Sequence, residues 1–210
     1  MFVRKTQVSQ PVTDNAQAKA IELIQRALAG DQQGYAALYD LYAAGIYRLC
    51  YSLLLNREDA EDVTQEAFVY AFKNLDRYDE KRAAFKTWLY TIAVSRSRNV
   101  HRRKRPMVID LLDVMRLKTP SPASEMPEAQ LAHQRAKEAI GEALAALSPR
   151  LREAVVLRYG HGLTYREIGD VMGCPHKTAE SRVRLAHDRL RELLREDGRG
   201  LLDELLSIQG

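Results

Sequence analysis

The sequence predicts an all-α chain of two helical domains joined by a proline-rich linker, on three observations. Val, Ile and Thr never gather in an alternating run punctuated by hairpin residues, so no strand is expected anywhere in the 210 residues. Ala, Leu, Glu, Arg and Gln fill the apolar-periodic stretches, and all of them favour helix. Four of the seven prolines, Pro106, Pro120, Pro122 and Pro127, fall in one segment and bar a long helix there. The expected division is a disordered N-terminal tail over 1–17, a first helical domain over 18–105, a linker over 106–127, a second over 128–196, and a C-terminal tail over 197–210.

In the first domain, AKAIELIQRALAG ends at Gly30, and Asp31 is placed to cap the next helix, QQGYAALYDLYAAGIYRLCYSLL. Tyr35, Leu38, Tyr42, Ile46, Leu49 and Leu53 recur on that helix as an apolar stripe, which marks them as core. The following helix, NREDAEDVTQEAFVYAFKNL, carries five carboxylates between Glu58 and Glu66. Ala60, Val63, Ala67, Tyr70 and Ala71 hold its inner face, leaving Asp59, Asp62, Gln65 and Glu66 outward. Acidic residues in a first turn complement the helix dipole, and an outward acidic helix also suits a basic protein surface.

A further helix runs from about Ala84 to Arg105, with Trp88, Leu89, Ile92 and Ala93 at core spacing. Its second half holds Arg96, Arg98, Arg102, Arg103, Lys104 and Arg105 with no acidic residue. One or two cations satisfy a helix C-terminus, so this density points to phosphates, with Asn99 able to meet a base or a backbone oxygen. Tyr78, Phe85, Trp88 and Tyr90 lie beside these cations. They can be stacking platforms for unpaired bases, or, as the three-residue step from Phe85 to Trp88 favours, core.

The linker's first half, Met107 to Leu117, is more apolar than a spacer requires, and either docks on a partner or packs on its own domain. Beyond it, a helix is expected from about Glu128 to Leu147. Then comes SPRLREAVVLRYG, in which Ser148 caps, Pro149 takes the first turn and Gly160 closes. Thr164 and Glu167 form a capping-box pair that starts a helix at Tyr165; Gly173 ends it and Pro175 prevents continuation. The next helix opens near His176, with Ala179, Val183, Ala186 and Leu190 on one face and His176, Lys177, Glu180, Ser181 and Arg184 elsewhere. Two short helices around a tight turn, the second carrying polar and basic residues, can place a helix in a DNA major groove. Leu201, Leu202, Leu205, Leu206 and Ile208 form a last apolar patch that suits a short terminal helix.

Composition narrows the class. A formal charge of +4 suits a polyanion partner only weakly, since 32 cations face 28 carboxylates. Cys50 and Cys174 fit no disulfide framework or metal-ligand spacing, no apolar run could span a bilayer, and the N-terminus lacks a signal-peptide core. The expectation is a cytoplasmic protein with no membrane span and no cofactor. With no nucleophile pattern, metal cluster or phosphate loop, it is not expected to be an enzyme.

An acidic helix, an aromatic loop, a basic helix and a separate helix-turn-helix, in that order, closely resemble the extracytoplasmic-function (ECF) group of the bacterial sigma-70 family of RNA polymerase sigma factors. The resemblance covers about residues 20 to 195, through EDAEDVTQEAFVYAFKNL, FKTWLYTIAVSRSRNVHRRKR and LSPRLREAVVLRYGHGLTYREIGDVMGCPHKTAESRVRLAHDRLREL. It implies a sigma-2-like bundle and a sigma-4-like helix-turn-helix domain, the linker replacing the middle domain of larger members and threading toward the polymerase active-site channel and RNA exit path. By resemblance, Asp59, Asp62, Gln65 and Glu66 dock on the β′ clamp helices of core RNA polymerase, and the second domain meets the β flap. Lys86, Arg96, Asn99, Arg102 and Arg103, with the loop from Asp76 to Thr87, engage the −10 element and assist its melting. His176, Lys177, Thr178, Glu180, Ser181, Arg182 and Arg184 read the −35 element. An anti-sigma factor clamping both domains is also implied.

The chain departs from the family's common Val-Gly-Thr-Val-Lys-Ser-Arg pattern: His176 to Arg182 read His-Lys-Thr-Ala-Glu-Ser-Arg. Glu180 stands where a cation is usual, so it either repels phosphate or accepts from a cytosine amine, while Lys177 adds charge in place of Gly. On the residues alone two other classes stay open: a stand-alone helix-turn-helix regulator, and a sigma-like polymerase-binding adaptor that reads no promoter.

Overall fold

The computed structural model describes residues 11–104 and 138–195, and every regular element among them is helical. The first lobe comprises α1 (Pro11–Leu28), α2 (Gln32–Leu54), α3 (Arg57–Lys73), a 3₁₀ turn (Leu75–Arg77) and α4 (Phe85–Lys104). The second comprises α5 (138–146), α6 (Pro149–Val155) running into a π-helical turn (Val156–Gly160), α7 (Tyr165–Met172) and α8 (His176–Arg195). The linker 106–127, the C-terminal tail 197–210 and the expected helix from 128 to 137 lie outside the described residues.

Local chemistry sets the boundaries. Asp31 caps α2 by accepting from Gln33 N at 2.9 Å, and the Arg26 guanidinium holds the same carboxylate at 2.7 Å. Two hydrogen bonds from arginine and the Gln33 N–H keep the Asp31 pKa below the usual carboxylate range. Leu55 closes α2 in the left-handed region at φ 55°, and the next residue, Asn56, caps α3 by accepting from Asp59 N at 2.9 Å. Reversal and restart thus share two residues, which makes α2 and α3 antiparallel neighbours. α3 then packs between α2 and α4.

Two expectations need correction. α1 begins at Pro11, so residues 11–17 are helical rather than a disordered tail. Gln17 is tied into the fold: its Nε2 donates to the Tyr78 hydroxyl at 3.0 Å and its Oε1 accepts from Phe85 N at 3.1 Å, linking α1 to the start of α4. Ser148 does occupy the N-cap position of α6, with Pro149 in the first turn, but its side chain makes no capping hydrogen bond. Buried Arg152 instead sits beside this junction, donating to the carbonyls of Leu144, Ala145 and Leu147 at 2.7, 2.9 and 3.3 Å. Those carbonyls end α5, where orphan acceptors and the negative dipole end favour a cation.

The core runs through both lobes. Leu38, Ile46, Leu49, Val63, Phe85 and Leu89 are closed to solvent in the first, as are Leu157, Ile168, Ala179, Val183 and Ala186 in the second. Across the seam α4 packs on α7, and α2 on the π turn and α6. Polar links stitch it. Arg98 Nε and Nη2 meet the Glu153 carboxylate at 2.8 and 2.6 Å. Arg152 Nη1 donates to Leu53 O at the end of α2 at 2.8 Å, and Tyr90 Oη lies 2.9 Å from His161 Nδ1.

Candidate polymerase and nucleic-acid interfaces

α3 presents the first surface. Its inner face buries Ala60, Val63, Ala67, Phe68 and Ala71, which leaves Asp62, Gln65 and Glu66 exposed along one ridge. Asp59 is half-buried in the first turn, where its backbone N–H meets the Asn56 cap. Beside the ridge lies an open groove of about 430 Å³ lined by Asp62, Gln65, Glu66, Val69 and Tyr70, with the cations Lys73 and Arg96 also on its lining. Val69 is 52% and Tyr70 42% exposed, so carboxylates border an apolar strip. Exposed apolar side chains ringed by charge are how a protein–protein contact surface is built.

The second surface is the outer face of α4. Thr91 and Ser97 turn their hydroxyls back to carbonyls four residues earlier, at 3.0 and 2.9 Å, so the helix runs on with its hydroxyls satisfied. Arg96 and Asn99 are half-buried while Arg102 and Arg103 are exposed. Arg102 Nη2 donates to Asn99 Oδ1 at 3.1 Å, which orients the amide. Arg96 stands 4.9 Å over the Tyr70 ring and 3.9 Å from the Glu66 carboxylate, so it borders the acidic groove as well as the basic face. Lys86, at the opposite end of α4, turns to the second lobe and donates to His161 O at 3.3 Å.

The aromatic residues beside α4 resolve toward packing. Phe85 is fully buried and Tyr90 nearly so, and Tyr78, Phe85 and Trp88 form a triangle of rings 5.3–5.6 Å apart. Tyr78 Oη donates to Ala83 O at 3.0 Å, fixing the loop that leads into α4. The cluster thus holds the basic helix against the bundle.

The third surface is α8. Thr164 and Glu167 make both halves of the capping box, with Thr164 N to Glu167 Oε2 at 2.8 Å and Glu167 N to Thr164 Oγ1 at 3.3 Å. Gly173 ends α7 at φ 67°, the left-handed conformation that glycine adopts without strain. Gly169 is required for closeness: a Cβ there would lie 2.7 Å from Cys174 O and 3.3 Å from His176 N, so α7 and the start of α8 could not approach. With Ala179, Val183 and Ala186 buried against α6 and α7, residues His176, Lys177, Glu180, Ser181 and Arg184 are exposed together. Thr178 and Arg182 are half-buried, and Arg182 Nη1 donates to Cys174 Sγ at 3.4 Å, back toward the turn. Ser181 Oγ is engaged with Lys177 O at 2.9 Å.

His161 was not singled out by the sequence. It sits on the seam with its ring 5.0 Å from that of Tyr90, edge to face. Burial, then the Lys86 and Arg48 charges, push its pKa down to about 4, while burial raises Tyr90 to about 12, so both are neutral in the folded protein near pH 7. Nothing in a lone His-Gly step within YGHGLTY flags such a role. Among the described residues no group of three or more His, Cys, Asp and Glu side chains is placed to hold a metal ion, and no helix is long and apolar enough to cross a membrane.

Two helical lobes, the first with an acidic ridge beside a basic helix and the second with two short helices around a tight turn, define a two-lobed all-α class of protein. Comparison with known proteins gives the family: Sigma-70 region 2 matches residues 38–106 and Sigma-70 region 4 matches residues 137–190. The ECF RNA polymerase sigma factor SigW of Bacillus subtilis is 32% identical over 179 residues, covering 82% of this chain and 95% of that protein. The ECF RNA polymerase sigma-E factor of Escherichia coli K12 is 30% identical over 189 residues, covering 87% and 95%. Among solved structures, CnrH in complex with the cytosolic domain of CnrY shares the fold at a TM-score of 0.62 and 24% identity, over 87% of this chain and 99% of that one. The chain belongs to the ECF group of sigma-70 sigma factors.

Proposed function

We propose that this chain binds core RNA polymerase, directs it to promoters with a −35 and a −10 element, and assists opening of the downstream element. The observation that carries the reading is the division of surfaces: an exposed acidic ridge on α3, a cation-dense α4 backed by an aromatic cluster, and a helix-turn-helix whose outward face is polar and basic. Asp62, Gln65 and Glu66, with Asp59 at the edge, meet the β′ clamp helices; Val69 and Tyr70 supply apolar area beside the charges. Arg102 and Arg103 neutralise phosphates at the −10 element, Asn99 contacts a base or the backbone, and Arg96 buttresses both this face and the acidic groove. His176, Lys177, Glu180, Ser181 and Arg184 enter the −35 major groove, while Thr178 and Arg182 brace the turn.

Both readers sit on one closed body in the isolated chain, because α4 lies against α7 and Lys86 is held by His161 O. Reading two separated elements then entails parting the seam on polymerase, which frees Lys86 for the −10 region. The second lobe meets the β flap. Two solved structures of similar fold are complexes, CnrH with the cytosolic domain of CnrY and, at a TM-score of 0.59, the sigma factor RpoE with the anti-sigma factor NepR from Bartonella quintana, and this supports an anti-sigma partner for the present chain. A cytoplasmic location follows from this role.

The test is reconstitution. Purified chain added to core polymerase on a pool of genomic fragments is expected to give discrete transcript starts that neither component gives alone. A stand-alone regulator would bind fragments without producing starts, and an adaptor would bind polymerase without selecting any.

A further inference from the structure

An apolar groove of about 220 Å³ lies away from all three surfaces, between α5, the π turn and the end of α8. Ile140 and Leu144 of α5, Val156 and Tyr159 of the π turn, and Leu190 and Leu194 of α8 line it, with Ser52 of α2 at its edge toward the first lobe. Ile140, Leu144 and Tyr159 remain half-buried, so the lining is only partly satisfied by its neighbours. A groove of this size accepts about two leucine-sized side chains, and leaving it open forfeits their burial.

We infer that residues 201–208 of this chain, Leu-Leu-Asp-Glu-Leu-Leu-Ser-Ile, occupy this groove by folding back along α8. Three observations carry it. The described chain ends at Arg195, one residue beyond the groove-lining Leu194 and five residues short of the segment in sequence. Asp197-Gly198-Arg199-Gly200 intervenes, and two glycines in four residues suit a reversal of the chain. Leu201, Leu202, Leu205 and Ile208 fall at steps that share a helical face, leaving Asp203 and Glu204 outward. The lengths also agree. Eight helical residues span about 12 Å, and the wall from His187 to Leu194 rises about 10 Å along α8. An antiparallel pair joined by a short turn is the ordinary way to close such a groove.

The inference is independent of the promoter-reading proposal, and its test reads the groove directly. Methyl spectra of the full chain with labelled Ile, Leu and Val are compared with those of full-length L202D/L205D. The groove methyls of Ile140, Leu144, Leu190 and Leu194 are expected to shift by more than a linewidth in the variant, while Leu38 and Val63 of the first lobe stay in place. L202M/L205M is expected to keep the wild-type positions. Groove methyls that do not move with L202D/L205D overturn the inference. So does a response to V108D/L112D in place of the tail variant, which would make the linker the occupant, or a dependence on protein concentration, which would make it a second copy.

Discussion

Arg98 and Glu153 face each other across the two lobes as a fork on a carboxylate, Nε to Oε1 at 2.8 Å and Nη2 to Oε2 at 2.6 Å. Glu153 is 4% exposed and also receives Arg150 Nη1 at 3.3 Å, whereas the Arg98 side chain keeps 29% of its surface. Removing Arg98 leaves the buried carboxylate with the longer contact from Arg150 alone. R98A is therefore expected to lower stability by about 2 kcal/mol, below the ~3–5 of a fully buried pair because Arg98 is partly solvated. R98M/E153M is expected to recover most of that loss. Urea melts of the two single variants and the pair check it, with a positive coupling as the expected result.

His161 makes the same seam sensitive to acid. Its neutral form is the one the closed lobes hold against Tyr90, because burial first and the charges of Lys86 and Arg48 second push its pKa from 6.5 to about 4. An opened or unfolded chain binds this proton first as pH drops. The seam thus loses stability as pH falls from about 6.5 through 4, and keeps it above. Carboxylates titrate in the lower part of that window, so the expected observable is a difference: wild type should lose more stability than H161Q between pH 7 and pH 5.

Charge reversal on the α3 ridge separates docking from folding. Asp62 and Glu66 are exposed, and Arg96 approaches the Glu66 carboxylate at 3.9 Å. D62K/E66K is expected to leave the melting temperature within about 2 °C, since exposed pairs contribute ~0–1 kcal/mol. Affinity for core polymerase should fall tenfold or more. A binding titration beside a thermal melt reads both.

Gly169→Ala is expected to damage the helix-turn-helix alone. The added Cβ meets backbone at 2.7 Å, which no side-chain adjustment relieves, so α7 and α8 must shift apart. Polymerase binding through α3 should persist while −35 recognition is lost, measured by filter binding of holoenzyme to promoters lacking either element.

The capped helices were readable because their determinants are local. The Asp31 cap, the Thr164–Glu167 box and the Gly173 terminator all act within four residues, and each is present as the sequence implies. The inward stripe of α2 and the buried face of α8 followed from period alone. Long-range pairing was not readable. Arg98 looked like one more member of a basic run, yet it is drawn out of that run by a carboxylate 55 residues away. Lys86 and His161 meet through a main-chain carbonyl, which no side-chain pattern advertises. α1 starts ahead of the expected boundary at residue 18, and Pro11 can open it because a first-turn proline lacks no needed donor. Ser148 holds the N-cap position of α6 without turning its hydroxyl to that helix, and Arg152, which donates to the carbonyls ending α5, does not replace the missing acceptor.

The central claim, that two separate helices read two separate promoter elements, is tested most directly by selection from a randomised promoter library. Holoenzymes carrying wild type, E180K or R102A/R103A each choose active sequences. E180K is expected to change base preference in the upstream element alone, by the ~1–3 kcal/mol of one base contact, and R102A/R103A to weaken selection at the downstream element alone. Both variants shifting the same element would contradict the account.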